Sequence, residues 1–322
     1  MILQTFNNGW GPEWPAKQFE QTIVDQLLHQ LAADDSRTVV INSTWYSDEY
    51  HQQVVEQLRG MTFDHLVLIA MLDPAIPQPS WFAEFACEII CAGYYPGLYN
   101  IDYWALFTDE YNHDVPSIDP QQIDTAYMCL NRKPHWHRKR LYRHLESLGV
   151  VDQGIVSFAQ ERVLTTDREH DDMAPQATRD QFGIPNDIVS LGHPSNWSRC
   201  FLNVVTETAW NISQTGFVSE KIYKPIVGCR PFLVFDTDGA VPWLTDRGFE
   251  PYVNDFGDIT DLNLTDPSIL ANFVQILCDQ PHAYWQKKFV DLQDKIMYNK
   301  SQFTQYVKQQ KLIIEKGIQC QT

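Results

Sequence analysis

The 322-residue sequence contains no long apolar run and no leader of the kind that directs export. No stretch of 18 apolar residues occurs, so we expect no membrane-spanning helix. The opening residues, MILQTFNNGWGPEWP, have neither the basic n-region nor the apolar h-region of a signal peptide. These absences predict a cytoplasmic protein.

Cysteines with the spacing of a disulfide framework or a zinc site are also absent. The chain has seven cysteines, an odd number, which favours a reducing cytosol. Cys87 and Cys91 are one helical turn apart, but no second Cys/His pair with zinc-like spacing accompanies them. We interpret both as core positions of a helix, and we predict no metal site and no bound cofactor.

Basic residues are scarce in the first part of the chain. Residues 1–131 contain three Lys and Arg against 18 Asp and Glu, a net charge of −15. Residues 132–322 contain 21 basic and 23 acidic residues, a net charge of −2. The total of −17 argues against a protein that binds nucleic acid independently of sequence, which needs surplus cations. The asymmetry indicates that the two parts have different partners.

Apolar residues, by contrast, are plentiful at 44% of the chain, enough for two domains of about 150 residues each. The first part alternates strand-like and helix-like segments, which is typical of a parallel sheet covered on both faces. The predicted strands are 1–6, 38–43, 65–72 and 103–108, and the predicted helices are 18–31, 48–58 and 81–92.

Residues 112–122 hold two Pro and two Asp without periodicity, and we interpret them as a linker. The alternation then restarts, with predicted strands at 125–130, 154–158, 201–206 and 231–235 and predicted helices at 135–148, 219–227, 239–246 and from 266 to about 315. The predicted fold is therefore α/β, with two Rossmann-like lobes at 1–122 and 123–300 and a C-terminal helix at 301–322.

A basic segment, RKPHWHRKRLYR, begins at Arg132 and carries six Lys and Arg but no acid in twelve residues. It follows a predicted strand and enters a predicted helix, the place where open α/β sheets bind phosphate. Arg132 precedes the helix and Arg138 lies in its first turn, so these two are the phosphate candidates. Lys139, Arg140 and Arg143 share one helix face that we expect to be solvated. The alternative is that the whole segment is a solvated basic face.

A second polar segment follows the strand predicted at 201–206. It reads TETAWNISQTGFVSEKIYKPIVGCRPFLVF from Thr206. Ser219 can cap a helix that starts with Glu220 and Lys221. Glu220 and Lys224 have the i,i+4 spacing of an ordinary helix-surface ion pair, worth about 0.2–0.5 kcal/mol. A purely structural role for these residues therefore stays open.

The run FVSEKIYKPIVGCRPFLVF resembles the donor-binding segment of the α1,3-fucosyltransferases and of related phage and bacterial glycosyltransferases. The shared pattern is an aromatic residue, Glu-Lys, a helix, a small residue, Pro and an apolar strand. The upstream segment CLNRKPHWHRKRLYRHL resembles the strand–Asn–loop–Arg–helix element of the same family. The two matches occur in the family's order and cover about 50 of the 322 residues.

The resemblance implies a GT-B glycosyltransferase, whose C-terminal lobe binds a nucleotide-sugar donor and whose N-terminal lobe binds the acceptor. Arg138 and Lys221 would bind the donor diphosphate. Glu220 would accept hydrogen bonds from ribose or sugar hydroxyls as part of the catalytic site. Glu207 would line the donor pocket. Phe217 stands where the family usually has Tyr, so one hydroxyl is missing.

Local charge adds Arg132 and Lys224 to the donor-binding candidates. An inverting transfer also needs a base near the acceptor hydroxyl. Asp73, at the end of the strand predicted at 65–72, is the candidate; Glu84 and Glu110 are weaker ones. Asp236-Thr237-Asp238 spells the Asp-x-Asp of metal-dependent transferases, but we interpret it as a polar turn because the basic segment already supplies cations.

The leading hypothesis is thus a metal-independent glycosyltransferase with a nucleotide-sugar co-substrate and a glycan or small-molecule acceptor, neutral or cationic. One alternative is an enzyme that glycosylates a modified DNA base, which the charge of −15 on residues 1–131 disfavours. Another is a non-catalytic module that binds a nucleotide or a sugar.

Overall fold

The computed structural model describes the greater part of residues 118–319 and short segments before them. The described residues are 2–4, 38–43, 56, 58–59, 65–70, 88–92, 99–100, 102, 105, 108–109, 118–131, 133–159, 161–162, 191–208, 210, 212, 218–237, 239–257 and 263–319.

The chain divides into two compact units. The first unit comprises Met1–Glu110, Pro175–Pro185 and Val307–Thr322, and the second comprises Tyr111–Ala174 and Asn186–Tyr306. The lobe boundaries expected at residues 122 and 300 remain a prediction.

The first unit contains a parallel sheet whose five strands lie in chain order. The strands are β1 (Ile2–Gln4), β2 (Thr38–Ser43), β3 (His65–Ala70), β4 (Glu88–Ala92) and β5 (Tyr99–Asn100). The strands expected near 1–6, 38–43 and 65–72 are therefore confirmed as β1, β2 and β3.

The helix predicted over 81–92 is wrong for its last five residues, which form β4. Ile89 and Ile90 are β-branched and favour a pleated backbone, and β4 pairs in parallel with β3. Cys91 is consequently a strand residue and not part of a helix core. Cys87 lies outside the described residues.

The strand predicted over 103–108 is also wrong, because residues 105 and 108 are helical. The buried Asp102 explains the difference: its Oδ1 accepts a hydrogen bond from the backbone N–H of Ala105 at 3.0 Å, as a residue that caps a helix start does. Asp102 N–H in turn donates to Gln310 Oε1 at 2.9 Å, within the first unit.

The second unit contains a four-stranded parallel sheet. Its strands are β6 (Thr125–Asn131), β7 (Ile155–Phe158), β8 (Cys200–Thr206) and β9 (Phe232–Phe235), in the order β7-β6-β8-β9. Every residue of β8 and β9 is buried, as expected of parallel strands covered on both faces. All four strands were predicted from the sequence to within one residue at either end.

Of the α-helices described after β6, all but the short one at Pro194–Arg199 lie at predicted positions, with small shifts. They are α1 (Trp136–Ser147), α2 (Pro194–Arg199), α3 (Glu220–Val227), α4 (Ala240–Asp246), α5 (Pro267–Cys278), α6 (His282–Asp291) and α7 (Gln293–Gln319). Ser219 caps α3 as expected, since its side chain accepts from Lys221 N–H. No helix among the described residues is long and apolar enough to span a membrane.

Candidate functional site

The candidate site lies at the carboxyl ends of β6 and β8, two neighbouring strands in the middle of the second sheet. From β6 the chain passes to β7 on one side, and β8 lies on the other side of β6. This reversal of strand order is the position at which open parallel sheets bind ligands. Asn131 ends β6 and Thr206 ends β8; both are buried, and the Thr206 hydroxyl donates to Asn131 Oδ1.

The basic segment after β6 divides into an exposed face and a buried pair. Lys139, Arg140 and Arg143 are exposed, which confirms that they form the solvated face of α1. His137 and Arg138 are each only 2% exposed and face the sheet edge. Arg132 lies outside the described residues. The hypothesis that all of the segment is a solvated face is therefore wrong.

The buried Arg138 joins the loops that follow β6 and β8. Its Nη2 donates to the Thr206 carbonyl at 3.0 Å and to Thr208 Oγ1 at 3.5 Å, and its Nη1 donates to the Lys133 carbonyl at 3.3 Å. The guanidinium thus positions both loops. A contact between Arg138 and a donor diphosphate remains a prediction.

Glu207, the residue after β8, joins that strand to the start of α3. Its Oε1 accepts from Ser219 N–H at 3.0 Å, and its Oε2 accepts from the Ser219 hydroxyl at 2.6 Å and from Thr208 N–H at 3.0 Å. Burial raises the pKa of Glu207, and the charge of Lys221 and the hydrogen bonds from Ser219 oppose only part of that rise. The predicted pocket residue is therefore a structural tether whose carboxylate already has three donors.

Glu220 forms an ion pair with its neighbour Lys221, with Nζ 2.7 Å from Oε1. The ion pair is thus made by Lys221 and not by the i,i+4 partner expected from spacing, although Lys224 contributes electrostatically. Burial alone would raise the pKa of the Glu220 carboxyl, but Lys221 and Lys224 together hold it below its ordinary value. The Lys221 side chain is 30% exposed and that of Glu220 is 4% exposed, so the ammonium is the part that solvent reaches.

Cations from both loops converge on His135, the residue that precedes α1. Burial lowers the pKa of His135, and the charges of Arg138, Lys133 and Lys221 lower it further. Arg138 and Lys221, which were predicted to act on the same ligand, both contribute to the lowering of the pKa of this imidazole. Lys133 is a member of the cluster that the sequence did not single out.

The two helices at the site begin differently. Helix α3 has a capping Ser219 and an acidic first turn. Helix α1 has no capping side chain and no acidic residue in its first turn, where the buried Arg138 stands instead. Because a helix N-terminus carries partial positive charge, cations there are unfavourable and an anion is favourable. Only α1 therefore has the electrostatics of an anion site.

His137 was not predicted as a site residue, although it lies within the basic segment. Its Nε2 lies 2.8 Å from the Glu207 carbonyl oxygen. A carbonyl can only accept, so Nε2 carries the proton and the neutral ring presents Nδ1 as an acceptor. Burial lowers the pKa of His137 to about 4, despite the hydrogen bond to Glu207. The signal in the sequence was the pair of histidines at 135 and 137.

Asp236 directly follows β9, and its interpretation as a polar turn remains a prediction. It is 1% exposed, and its Oδ1 accepts from Ile212 N–H at 3.3 Å. Within the described ranges no group of three or more His, Cys, Asp or Glu side chains could hold a metal ion. The remaining predicted residues lie outside the described part of the chain: Asp73, Glu84, Glu110, Phe217 and Asp238.

Comparisons of the chain with models of known protein families, with curated proteins and with solved structures found no match.

Proposed function

We propose that the protein is a GT-B glycosyltransferase that moves a sugar from a nucleotide-sugar to an acceptor hydroxyl, with inversion and without a metal ion. The observation that carries this proposal is that Arg138 and Lys221 are both tied to the carboxyl end of β8. Arg138 donates to the Thr206 carbonyl at 3.0 Å, and Lys221 Nζ donates at 3.3 Å to the Ser219 hydroxyl, which donates to Glu207. The two sequence segments that resemble the glycosyltransferase family supply Arg138 and Lys221.

A diphosphate suits this cluster better than a carboxylate or a polyanion does. The N–H groups at the start of α1 point at one place; Lys133 lies in the loop that enters α1, Arg138 lies in its first turn, and Lys221 lies at the start of α3. Such a concave, local arrangement neutralises a few charges at once. An extended polyanion would need cations spread over a surface, and residues 1–131 carry a net charge of −15. The modified-base hypothesis is therefore the weaker one.

The same cations serve the chemical step. When the bond between sugar and phosphate breaks, negative charge develops on the leaving diphosphate, and fixed cations stabilise that charge more than they stabilise the bound substrate. Arg138 is held by three acceptors and cannot rearrange freely, so its charge is preorganised. Glu220, in contact with Lys221, would accept hydrogen bonds from hydroxyls of the donor.

The remaining parts of the proposal come from the resemblance and from the sequence. The N-terminal lobe would bind the acceptor and supply the base, with Asp73 as the candidate. Arg132, Phe217 and Lys224 complete the proposed donor site. A reducing cytoplasm suits Cys129, Cys200, Cys229 and Cys278, which are free thiols.

A thermal-shift screen over nucleotide-sugars that differ in base and sugar identifies the donor, because binding to the native state raises Tm. Release of nucleoside diphosphate from that donor is then measured with and without candidate acceptors. We expect Lys221→Met to abolish release and Lys139→Met, on the solvated face of α1, to leave it unchanged. Equal activity of both variants would refute the assignment.

A non-catalytic binding module is the second candidate function. The observation in its favour is that Glu220 is buried and already paired with Lys221. If the donor raises Tm and Lys221→Met removes that rise, while neither hydrolysis nor transfer is detected with any acceptor tested, this candidate replaces the enzyme.

A further inference from the structure

Trp136 is exposed at a place where an aromatic side chain has a use. It is 54% exposed, the highest value among the large apolar side chains of the described residues. It is the first residue of α1, the helix whose N-terminal N–H groups belong to the proposed phosphate site. A single exposed apolar residue is ordinary on a protein surface. The surroundings of Trp136 distinguish it from such a residue.

The Trp136 ring is held in a fixed orientation without being covered. Trp210 meets it edge-on at 5.2 Å between ring centroids, and His137 meets it at 5.6 Å with an interplanar angle of 83°. Both neighbours are themselves anchored, His137 by the Glu207 carbonyl and Trp210 by Phe235 at 4.6 Å. We call Trp136, Trp210, His135 and His137 the ring cluster.

Two ring nitrogens of the cluster have no hydrogen-bond partner in the described part of the chain, His135 Nε2 and His137 Nδ1. Both atoms are buried, and His137 as a whole is 2% exposed. The rings of His135 and His137 lie nearly parallel, 5.9 Å apart. Burying an imidazole nitrogen without a partner is unfavourable, so these atoms point to a ligand that brings hydroxyl or N–H groups.

We propose that the ring cluster is the nucleoside subsite of the donor: the base stacks on Trp136, and hydroxyl or N–H groups of the nucleoside reach the histidine nitrogens. The proposal rests on the proposed function, because the phosphates of the same molecule occupy the start of α1. The occupant is the nucleoside because Trp136 and the phosphate-facing N–H groups belong to one helix turn, and the nucleoside is covalently joined to the phosphates. The Arg140 guanidinium carbon lies over the Trp136 ring, 5.9 Å from its centroid, and places a cation on that face of the ring.

The test compares two ligands, a nucleoside diphosphate and pyrophosphate, by calorimetry. Stacking of a base on an aromatic side chain contributes enough that its removal weakens binding by about tenfold or more. We expect Trp136→Ala to weaken binding of the nucleoside diphosphate by that factor and to leave the affinity for pyrophosphate unchanged. Trp136→Phe retains a ring and recovers part of the affinity. Met297 is an exposed apolar residue on α7, and the control variant Met297→Ala should change neither of the two affinities.

The outcomes separate this subsite from the proposed function. If Trp136→Ala binds the nucleoside diphosphate as the wild type does, while Lys221→Met has lost affinity for both ligands, the phosphate site is supported and the nucleoside subsite is refuted. An equal loss of affinity for both ligands in Trp136→Ala also refutes the nucleoside subsite, because the ring would then support the phosphate site only. If the wild-type protein binds neither ligand, the proposed function and the subsite fail together.

Discussion

The three hydrogen bonds accepted by Glu207 predict the effect of replacing it with glutamine. An amide offers one acceptor oxygen in place of two. If the amide oxygen takes the place of Oε2, it still accepts hydrogen bonds from Thr208 N–H and the Ser219 hydroxyl. The amide NH₂ group then faces Ser219 N–H, and because both are donors no hydrogen bond forms between them. One hydrogen bond to a charged acceptor is lost, at a cost of about 1.5–3 kcal/mol.

Two effects act in the opposite direction in Glu207→Gln. The carboxylate no longer has to be buried, and the repulsion between Glu207 and Glu220 disappears. We therefore expect a net loss at the lower end of that range, about 1.5 kcal/mol in the free energy of unfolding. With a urea m-value of about 2–3 kcal/mol/M, the denaturation midpoint would fall by roughly 0.5–0.8 M.

Urea denaturation of the wild type and of Glu207→Gln measures this loss directly. Glu146→Gln is the matched control, because Glu146 is an exposed carboxylate in a surface ion pair with Arg143 and its loss is expected to cost under about 0.5 kcal/mol. A Glu207→Gln variant as stable as the control would show that the tether between β8 and α3 does not stabilise the fold.

Three further predictions concern pH, a buried cation and metal ions. The pKa of His137 is about 4 in the folded chain against 6.5 ordinarily, so the unfolded chain takes up a proton first as pH falls below 6.5, and the free energy of unfolding should fall by about 3 kcal/mol by pH 4. The difference in unfolding free energy between the wild type and His137→Gln should change by this amount between pH 7 and pH 4. A difference that does not depend on pH would contradict this prediction. Arg230 is 1% exposed and donates to the Trp197 carbonyl at 2.5 Å and to the Cys229 carbonyl at 2.8 Å. Arg230→Lys should therefore lower the free energy of unfolding, measured by chemical denaturation, by about 2 kcal/mol, and a decrease under about 0.5 kcal/mol would contradict this. Sugar transfer should survive EDTA because protein cations neutralise the leaving group; complete loss that manganese restores would instead favour a metal site at Asp236.

The second sheet could be predicted from the sequence for a physical reason. Parallel strands buried on both faces show as short apolar runs, and β6 and β8 each begin and end within one residue of the predicted limits. The start of α3 was equally predictable, because a serine before Glu-Lys is a capping signal. In the first unit the same rules failed at β4, where pairing with β3 outweighed a helical spacing, and after Asp102, whose capping role was not recognised.

The composition of the site was predictable, but its internal contacts were not. Glu207, Arg138 and Lys221 were named from charge and from resemblance, and all three lie at one sheet edge. That Arg138 is buried against the Thr206 carbonyl depends on β6 and β8 being neighbours, a contact across 68 residues that no local pattern encodes. The ring cluster was missed for the same reason, since Trp210 reaches His137 only through the sheet order.

The measurement that tests the central claim most directly is the calorimetric Kd of a nucleoside diphosphate for three proteins. These are the wild type, Lys221→Met, and Lys139→Met as a control on the solvated face of α1. A charge-assisted hydrogen bond to phosphate predicts that Lys221→Met weakens binding by about 10- to 100-fold and that Lys139→Met changes it by less than about twofold. Wild-type protein that binds no nucleoside diphosphate, or two variants that bind it equally well, would contradict a donor site at the carboxyl edge of β6 and β8.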